Sequence, residues 1–481
     1  MSNCISRRRF IGTSAACAAI SPFALLADGR GKVPGKGGKG GKVPGKGGKG
    51  GKRRPPEAAV RAIYETKDGL ATDAVWCRRA YLDLAGRIPT AAEARAFAAD
   101  TAADKRARLV DALLASDDFA DYWSKRYCDI LRVKSEFPIN LWPNAVYVYH
   151  RRIRESVAHD ESWLDFARAL LTTAGSNFRD AECNFLRATA KRTAEGLSEV
   201  AALTFLGEAT SEYAAYFEPV AIKTTREWKE EIVYFNPGGK TPADFAARLA
   251  GDLRERFAAA HAGRVWEWLF CSPPDAPRKA RLAAEFAKSG FRLKPFLRGL
   301  ALSGEYAQGS VTGTFPVRRL DAEVLDDAIC SLTGASREYQ SIAPEPFTFL
   351  PPDRKSVLIE DGSISNAFLI LFGRPARDSG MLSERHNDVT AKQRLYLFNS
   401  GKLYARLGAV TDKKAFRSRP FADMVADIYW RILGRAPADF ELDVLKARQK
   451  KLQSKPQQQR WHFPKDIAWC LLNSREFLFR T

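Results

Sequence analysis

Apolar residues recur at helical spacing along most of the chain, and this periodicity limits the possible folds more than any other feature. The clearest example is the segment 421–433, whose predicted apolar face consists of Phe421, Met424, Val425, Ile428, Tyr429, Ile432 and Leu433. Strand-like sequence is confined to Val-Ala-Ile-Lys at 220–223 and Glu-Ile-Val-Tyr-Phe at 231–235, before an Asn-Pro-Gly-Gly turn. The sequence therefore predicts a mainly α, multi-helix protein with a small β element near 219–236.

Two helix starts can be read from capping residues. Thr90 is followed by Glu93 and Thr241 by Asp244, which is the spacing of a capping box or its acidic variant. Pro242 stands at a first helical position, where its missing N–H is harmless. We therefore expect helices to begin directly after Thr90 and Thr241.

The sequence also contains a weak internal repeat. Tyr-Leu-Asp-Leu-Ala-Gly-Arg-Ile-Pro at 81–89 aligns without a gap on Tyr-Trp-Arg-Ile-Leu-Gly-Arg-Ala-Pro at 429–437. Each copy is followed by a helical segment ending in Leu-Leu, Ser, an acid and Phe, at 113–119 and 471–477, and 300–306 is a partial third copy. This pattern predicts a helix stopped by Gly, a turn, a new helix and a Ser cap. Arg87 and Arg435 are predicted to cap a helix C-terminus rather than bind substrate.

The first 28 residues resemble a twin-arginine export signal. Arg7 and Arg8 are followed by Phe10 and by a small, apolar run that ends near Ala27. This resemblance implies export to the periplasm or the cell surface. No later segment has the 18 or more apolar residues of a membrane span, so we expect no transmembrane segment in the mature chain.

Residues 29–56 form a basic, glycine-rich linker between the signal and the body. A Gly-Lys-Val-Pro-Gly-Lys-Gly-Gly-Lys-Gly decapeptide occurs twice, and residues 29–54 carry ten of the Lys and Arg residues behind the chain's net charge of +20. Such a segment is flexible and extended. Lys32 to Arg54 could anchor the protein to an anionic envelope polymer, a membrane surface or a sulfated polysaccharide, or could be a solubilising spacer. Nucleic acid is not expected as a partner, because no recognition motif accompanies this charge.

Several strings in the body resemble known families. Arg-Ala-Tyr-Leu-Asp-Leu-Ala-Gly-Arg-Ile-Pro-Thr at 79–90 is similar to the planctomycete cytochrome C-like domain. Phe-Gly-Arg-Pro-Ala-Arg at 372–377 and Leu-Phe-Asn-Ser at 397–400 resemble the planctomycete-specific domain of unknown function that follows it. The resemblance implies two packed helical domains, at 57–240 and 241–481, in an extracytoplasmic protein. It implies no reaction, because none is established for the family.

The sequence departs from the family at its haem motif. Many members carry a Cys-x-x-Cys-His block after a segment like Phe-Leu-Gly at 205–207, whereas here Gly207 continues into Glu-Ala-Thr-Ser. The eight cysteines, at 4, 17, 77, 128, 183, 271, 330 and 470, include no pair at the spacing of a haem or zinc motif. We therefore predict no cofactor, no covalent c-type haem and no metal site. The six later cysteines could form up to three disulfides, but the apolar surroundings of Cys77, Cys330 and Cys470 favour buried thiols.

One polar cluster supplies the candidate ligand-binding residues. It contains Arg374, Arg377, Glu384, Arg385 and His386, and Asn399 follows a short helix later. The arginines could bind an anion, and a carboxylate paired with His386 could perform acid–base chemistry. The competing interpretation is a buried, salt-bridged loop that locks two helices together. An open pocket would favour the first, and buried, mutually paired side chains the second.

A second candidate surface is aromatic. Trp266 and Trp268 could form a sugar-stacking platform, but at a spacing of two they point to different faces of a helix, so at least one is expected in the core.

Three functions remain open. The leading hypothesis is a non-catalytic binding or scaffold protein of the cell envelope. The alternatives are an enzyme or accessory factor that acts on anionic, sulfated extracellular polysaccharide, and a redox protein with a non-covalent cofactor. No Gly-x-Ser-x-Gly, phosphate-loop or His-Glu-x-x-His motif supports a particular enzyme class.

Overall fold

Helices account for most of the structure, as the apolar periodicity predicts. The computed structural model describes residues 57–225, 230–341, 349–411 and 418–481. The predicted export signal and linker, with Arg7, Arg8, Phe10 and Lys32 to Arg54, lie outside the described residues.

The helices are numbered in chain order. Those of the first part are α1 (Glu57–Tyr64), α2 (Asp73–Leu84), α3 (Ala91–Ala99), α4 (Lys105–Leu114), α5 (Asp117–Ile130), α6 (Pro143–Ala158), α7 (Trp163–Thr172), α8 (Asn184–Arg187), α9 (Ala194–Leu206) and α10 (Pro242–Ala250). Those of the central part are α11 (Arg254–Phe270), α12 (Ala276–Lys288), α13 (Leu293–Ala301), α14 (Gly304–Ala307), α15 (Ala322–Thr333) and α16 (Ala367–Leu371). Those of the last part are α17 (Ala391–Asn399), α18 (Gly401–Arg406), α19 (Gly408–Thr411), α20 (Phe421–Leu433), α21 (Asp439–Leu452), α22 (Gln457–Leu472) and α23 (Arg475–Leu478).

Both predicted helix starts are confirmed. The Thr90 hydroxyl accepts from the Glu93 N–H, and the Glu93 carboxylate accepts from the Thr90 N–H, before α3. Thr241 and Asp244 form the same reciprocal pair before α10, with Pro242 in its first turn. Each box satisfies backbone donors that the first turn of a helix leaves without a partner.

Three segments share one order of helices, which extends the repeat seen in the sequence. Each has a long helix, two further helices, a Ser N-cap and a fourth helix: α2–α5 is the first repeat, α11–α14 the middle repeat and α20–α23 the last repeat. In each, the cap hydroxyl accepts from the N–H of an aromatic residue three positions later, at 3.2 Å, and that aromatic ring is fully buried. The three pairs are Ser116 with Phe119, Ser303 with Tyr306 and Ser474 with Phe477. The repeat is therefore a structural unit.

The role predicted for the two repeat arginines is wrong. Glycine in the left-handed conformation follows the helix in both repeats, at Gly86 (φ 63°) and Gly434 (φ 72°), and the arginines bind carboxylates instead of the helix end. Their N–H groups donate to the carboxylate of the next helix's first turn and to an acid of the final cap, at 2.6 to 3.0 Å. The equivalent partners are Glu93 and Asp118 for Arg87, and Glu441 and Glu476 for Arg435.

The β element near 219–236 is confirmed. Strands β2 (Val220–Thr224) and β3 (Glu231–Phe235) are antiparallel, with Ile222 opposite Val233, and β1 (Gly175–Ser176) pairs with the other edge of β3. A separate pair joins β4 (Arg318–Arg319) to β5 (Phe479–Arg480).

One continuous apolar core contains residues from Val60 to Phe477. The residues that follow the last repeat contact the first repeat, where their polar groups are buried. Arg480 donates to Asp83 at 2.8 Å, and the Arg79 guanidinium donates to the carbonyl oxygen of Thr481 at 2.9 Å. The first repeat is therefore completed by residues from the far end of the sequence.

Both tryptophans of the candidate aromatic platform are in the core. Trp266 is 4% exposed and stacks on Phe270, and Trp268 is 7% exposed and packs edge-on against Trp123. The prediction that at least one of the two tryptophans lies in the core is confirmed. Little surface of either ring is left for stacking on a sugar.

The six cysteines of the described residues are free thiols, and all except Cys271 are buried. Cys77, Cys330 and Cys470 are buried as predicted. Within the described ranges, no helix is both long and apolar enough to cross a bilayer.

Candidate functional site

The polar loop 374–388 lies between α16 and α17 and packs against α5 and α15. Helix α5 begins at the Ser116 cap and presents Lys125 and Asp129 one turn apart on one face. Helix α15 follows Asp321 and carries Glu323 in its first turn. The loop therefore meets charged groups from two helices that are about 200 residues apart in sequence.

Three predicted arginines of the loop are buried in ion pairs. Arg377 donates to Asp129 at 2.9 Å, and Arg385 donates to both Asp129 and Glu323 at 2.7 Å. The Arg374 guanidinium lies 3.7 Å from Glu323. Their side chains are 3% (Arg374), 1% (Arg377) and 9% (Arg385) exposed. The side chains of Arg374 and Arg377 are therefore shielded from solvent.

Residues of α5 extend this network. Lys125 lies 3.3 Å from Asp321 and 3.5 Å from Glu323, and Arg126 lies 3.1 Å from Asp321. Arg318 of β4 reaches Asp321 at 4.0 Å. The resulting group is called the buried ion cluster; it consists of Lys125, Arg126, Asp129, Arg318, Asp321, Glu323, Arg374, Arg377 and Arg385. Six cations face three carboxylates, so the cluster carries a formal excess of three positive charges.

The pKa values in the cluster follow from burial first and from the neighbouring charges second. Burial, and then the positive charge of Arg385, lowers the pKa of Lys125 to about 8. Burial alone would raise the pKa of Asp321, but Lys125 and Arg126 outweigh it and hold that pKa well below its usual value. The carboxylates are therefore ionised at neutral pH, and Lys125 is the group nearest to losing its charge.

Glu384, another predicted site residue, holds the loop itself together. Its carboxylate accepts from the backbone N–H groups of Asp378 at 3.0 Å and Gly380 at 3.2 Å, and also from Ser379. A carboxylate that accepts several N–H bonds is a turn-forming group with little capacity left for a ligand.

His386 and Asn399 lie outside the ion cluster. His386 is exposed, and its carbonyl oxygen accepts from the Arg319 guanidinium at 2.7 Å. Asn399 is exposed at the end of α17, away from the loop's ion pairs. The structure therefore brings Arg374, Arg377 and Arg385 into one network, places Glu384 and His386 beside it, and separates Asn399 from it.

A cleft of about 460 Å³ opens beside the cluster. Its walls come from α5, the end of α11, β4 and the polar loop, and include Arg126, Asp129, Trp268, Arg318, Arg385 and His386. The Nε and Nη1 groups of Arg126 and the Nε group of Arg318 are buried without a hydrogen-bond partner. Unpartnered guanidinium donors in a buried wall are energetically costly and mark a place where an acceptor would be favourable.

Sequence reasoning missed the partners of the loop. Lys125, Arg126 and Asp129 occur in the string Lys-Arg-Tyr-Cys-Asp, which does not mark them as buried, because charged residues of a helix ordinarily lie on its solvated face. The available signal was the density of aromatic residues in α5, which include Tyr122, Trp123 and Tyr127 and indicate a helix that is buried on more than one side. Their partner Asp321 lies 196 residues from Lys125, so no local pattern joins them.

Among the described residues, no group of three or more His, Cys, Asp or Glu side chains is placed to hold a metal ion.

Comparison with known families agrees with the order of the two domains. Residues 60–220 match PSCyt2, a protein of unknown function (DUF1549), and residues 280–448 match PSD1, a protein of unknown function (DUF1553). The chain is a PSCyt2–PSD1 protein. The comparisons found no matching curated protein and no matching solved structure.

In this PSCyt2–PSD1 protein the buried ion cluster joins the two matched regions. Lys125, Arg126 and Asp129 lie in the PSCyt2 match, and the remaining six members lie in the PSD1 match. The polar loop and α15 are thus attached to α5 of the other domain by buried charge pairs.

Proposed function

We propose that this PSCyt2–PSD1 protein is a non-catalytic binding protein of the cell envelope, exported by the twin-arginine route and held on anionic polysaccharide by Lys32 to Arg54. The observation that carries the proposal is the commitment of the polar loop to structural pairing. Arg374 and Arg377 lie beneath the surface, and Glu384 is occupied by its own loop.

Acid–base catalysis requires a carboxylate or imidazole within hydrogen-bond reach of a substrate. In the polar loop, the carboxylate of Glu384 faces backbone donors, and Asp129 is bonded to Arg377 and Arg385. Asp129 thereby joins the two matched regions and Glu384 shapes its own loop, so both carboxylates are engaged in structural contacts.

The basic linker supplies the attachment. Ten positive charges and no acid in residues 29–54 favour association with sulfate or carboxylate groups along a polymer. Such attachment weakens as salt rises, because exposed charges are screened beyond roughly 10 Å at 0.1 M ionic strength.

The proposal is tested by affinity chromatography of the full chain on a sulfated and on a neutral polysaccharide. We expect retention on the sulfated matrix, elution by salt, and little retention on the neutral matrix. A matched variant with all ten Lys and Arg residues of 29–54 changed to Gln should elute early. Equal retention of this variant, or catalytic release of sulfate or shortened chains from the polymer, would contradict the proposal.

Export is tested separately by cell fractionation. The intact chain should appear outside the cytoplasm, and a variant with Arg7→Lys and Arg8→Lys should accumulate inside. An unchanged distribution of this variant would contradict export by the twin-arginine route.

A further inference from the structure

The buried ion cluster has more positive charge than its own carboxylates can neutralise. Six cations share Asp129, Asp321 and Glu323 as ion-pair partners. Placing unneutralised charge in a low-dielectric interior is costly, and the cost is relieved when a counter-ion sits nearby. Burial, and then the positive charge of Arg385, lowers the pKa of Lys125, although loss of its proton would remove only one of three excess charges.

The cluster reaches the surface at a defined place. Arg126, Arg318 and Arg385 belong to the cluster and also line the 460 Å³ cleft. Arg318 is 14% exposed and its nearest carboxylate, Asp321, is 4.0 Å away, so its pairing is weak. The Arg126 side chain is 2% exposed, yet two of its three nitrogen groups have no hydrogen-bond partner. The unpartnered guanidinium donors and the excess positive charge of the cluster therefore lie on the same wall of the cleft.

Other walls of the cleft limit where an anion could sit. Glu267 and Asp388 also line it, and Arg319 donates its N–H groups to backbone carbonyls. A negatively charged ligand is therefore favoured on the wall of Arg126, Arg318 and Arg385 and disfavoured at the acidic side.

We propose that this wall is an oxyanion site, which binds a sulfate or carboxylate group through Arg126, Arg318 and Arg385. Guanidinium groups bind such oxyanions through paired, charge-assisted hydrogen bonds. The cleft volume accommodates a sugar residue carrying one such group. This inference rests on the proposed function for its ligand class, because an anionic polysaccharide would supply the group.

The test uses the full chain and isothermal titration with sodium sulfate, at constant ionic strength maintained with sodium chloride. We expect one saturable site per chain. Arg318→Gln should weaken sulfate binding at least tenfold, because it removes a donor that makes only one long ion pair. Arg168→Gln is the matched control: Arg168 is 56% exposed and pairs with Asp165 at 3.5 Å on α7, so its removal should leave sulfate binding unchanged.

Arg318→Lys is a second variant, used in case Arg318→Gln fails to fold. Circular dichroism checks the folding of both variants. Arg318→Lys keeps the charge and loses the planar fork, and we expect intermediate affinity. Absence of saturable sulfate binding to the wild type, or equal affinity of the wild type and Arg318→Gln, would overturn the site. Titration with glucuronate and with glucose 6-sulfate distinguishes a carboxylate from a sulfate ester as the group bound.

The site and the proposed function can fail separately. Replacement of the ten linker cations with Gln should abolish retention on polymer and leave sulfate titration unchanged. If the wild type binds sulfate but is not retained on the sulfated polymer, the oxyanion site is supported and the proposed attachment to polysaccharide is rejected. Polymer retention without sulfate binding would reject the site and leave the proposed function in place.

Discussion

At the scale of single residues, the sign of the imbalance in the ion cluster decides which substitutions are harmful. A buried pair is strongly destabilised when one partner is removed and the other charge is left unpaired. Here cations outnumber carboxylates, so loss of a carboxylate increases the excess charge and loss of a cation reduces it. The two kinds of substitution should therefore differ in their effect on stability.

Glu323→Gln and Lys125→Met test this asymmetry. Glu323 pairs with Arg385, Arg374 and Lys125, and its neutralisation should lower the free energy of unfolding by about 3 to 5 kcal/mol. Lys125→Met removes a buried cation and keeps an unbranched side chain, so it should change stability by about 1 kcal/mol or less. Urea denaturation measures both values. A larger loss for Lys125→Met than for Glu323→Gln would contradict the proposed charge excess.

Lys125 also predicts a pH dependence. Its pKa falls to about 8 in the folded protein, from 10.5. Between these values the unfolded state binds more protons than the folded state, so the free energy of unfolding should rise with pH. Below pH 8 the group is charged in both states and contributes no slope. Urea denaturation at pH 7.5 and 9.5 should show this rise in the wild type and a smaller rise in Lys125→Met; identical slopes would contradict it.

At the scale of structural elements, three glycines that follow helices offer a graded series, two of them in the repeats and one after α15. Gly334, Gly434 and Gly86 share a positive φ of 63° to 72° but differ in their surroundings. A Cβ atom at Gly334 would meet nothing within 4 Å, one at Gly434 would lie 3.4 Å from Pro89, and one at Gly86 would lie 2.3 Å from the buried Tyr122 ring.

Alanine substitutions at these glycines should therefore lower stability in a fixed order. Gly334→Ala adds only backbone strain and should cost about 1 kcal/mol, since the left-handed conformation costs about 1 to 2 kcal/mol for a residue with a Cβ atom. Gly434→Ala should cost slightly more, and Gly86→Ala most, because the Tyr122 ring must move. Thermal unfolding of the three variants measures the order. Equal losses would show that the contact with Tyr122 can be relieved freely.

The sequence predicted these elements well where the cause was local. The boxes at Thr90 and Thr241 and the Ser-to-aromatic caps need only residues three positions apart. The pairing of Arg87 was only partly local, since Glu93 is 6 residues away but Asp118 lies 31 residues away, beyond two intervening helices. The same distinction applies to the candidate site. The polar loop could be predicted from its local sequence, whereas its carboxylate partners on α5 and α15 could not.

At the scale of the whole molecule, the two matched domains share one core and one buried ion cluster. Tyr64 of α1 donates to Glu476 at 3.1 Å, and Arg78 of α2 donates to the carbonyl oxygen of Phe477 at 3.0 Å, so buried polar contacts also join the last repeat to the first two helices. We therefore expect the domains to unfold together.

Scanning calorimetry tests this coupling. The wild type should show one unfolding transition, and Asp83→Asn, which leaves Arg480 without its carboxylate, should shift the whole transition to lower temperature. Two separated transitions in the wild type, or a shift confined to part of the heat absorption, would show that the domains unfold independently.

The placement of Arg480 beside Asp83 also has a consequence for biosynthesis. These residues are 397 positions apart, so at 5 to 20 residues per second the ribosome makes the second about 20 to 80 seconds after the first. During that interval the first repeat has emerged without the groups that neutralise its buried charges. The newly made chain can therefore reach its final form only after synthesis has passed residue 480. An export route that accepts finished proteins suits such a chain better than one that threads it through while it is being made.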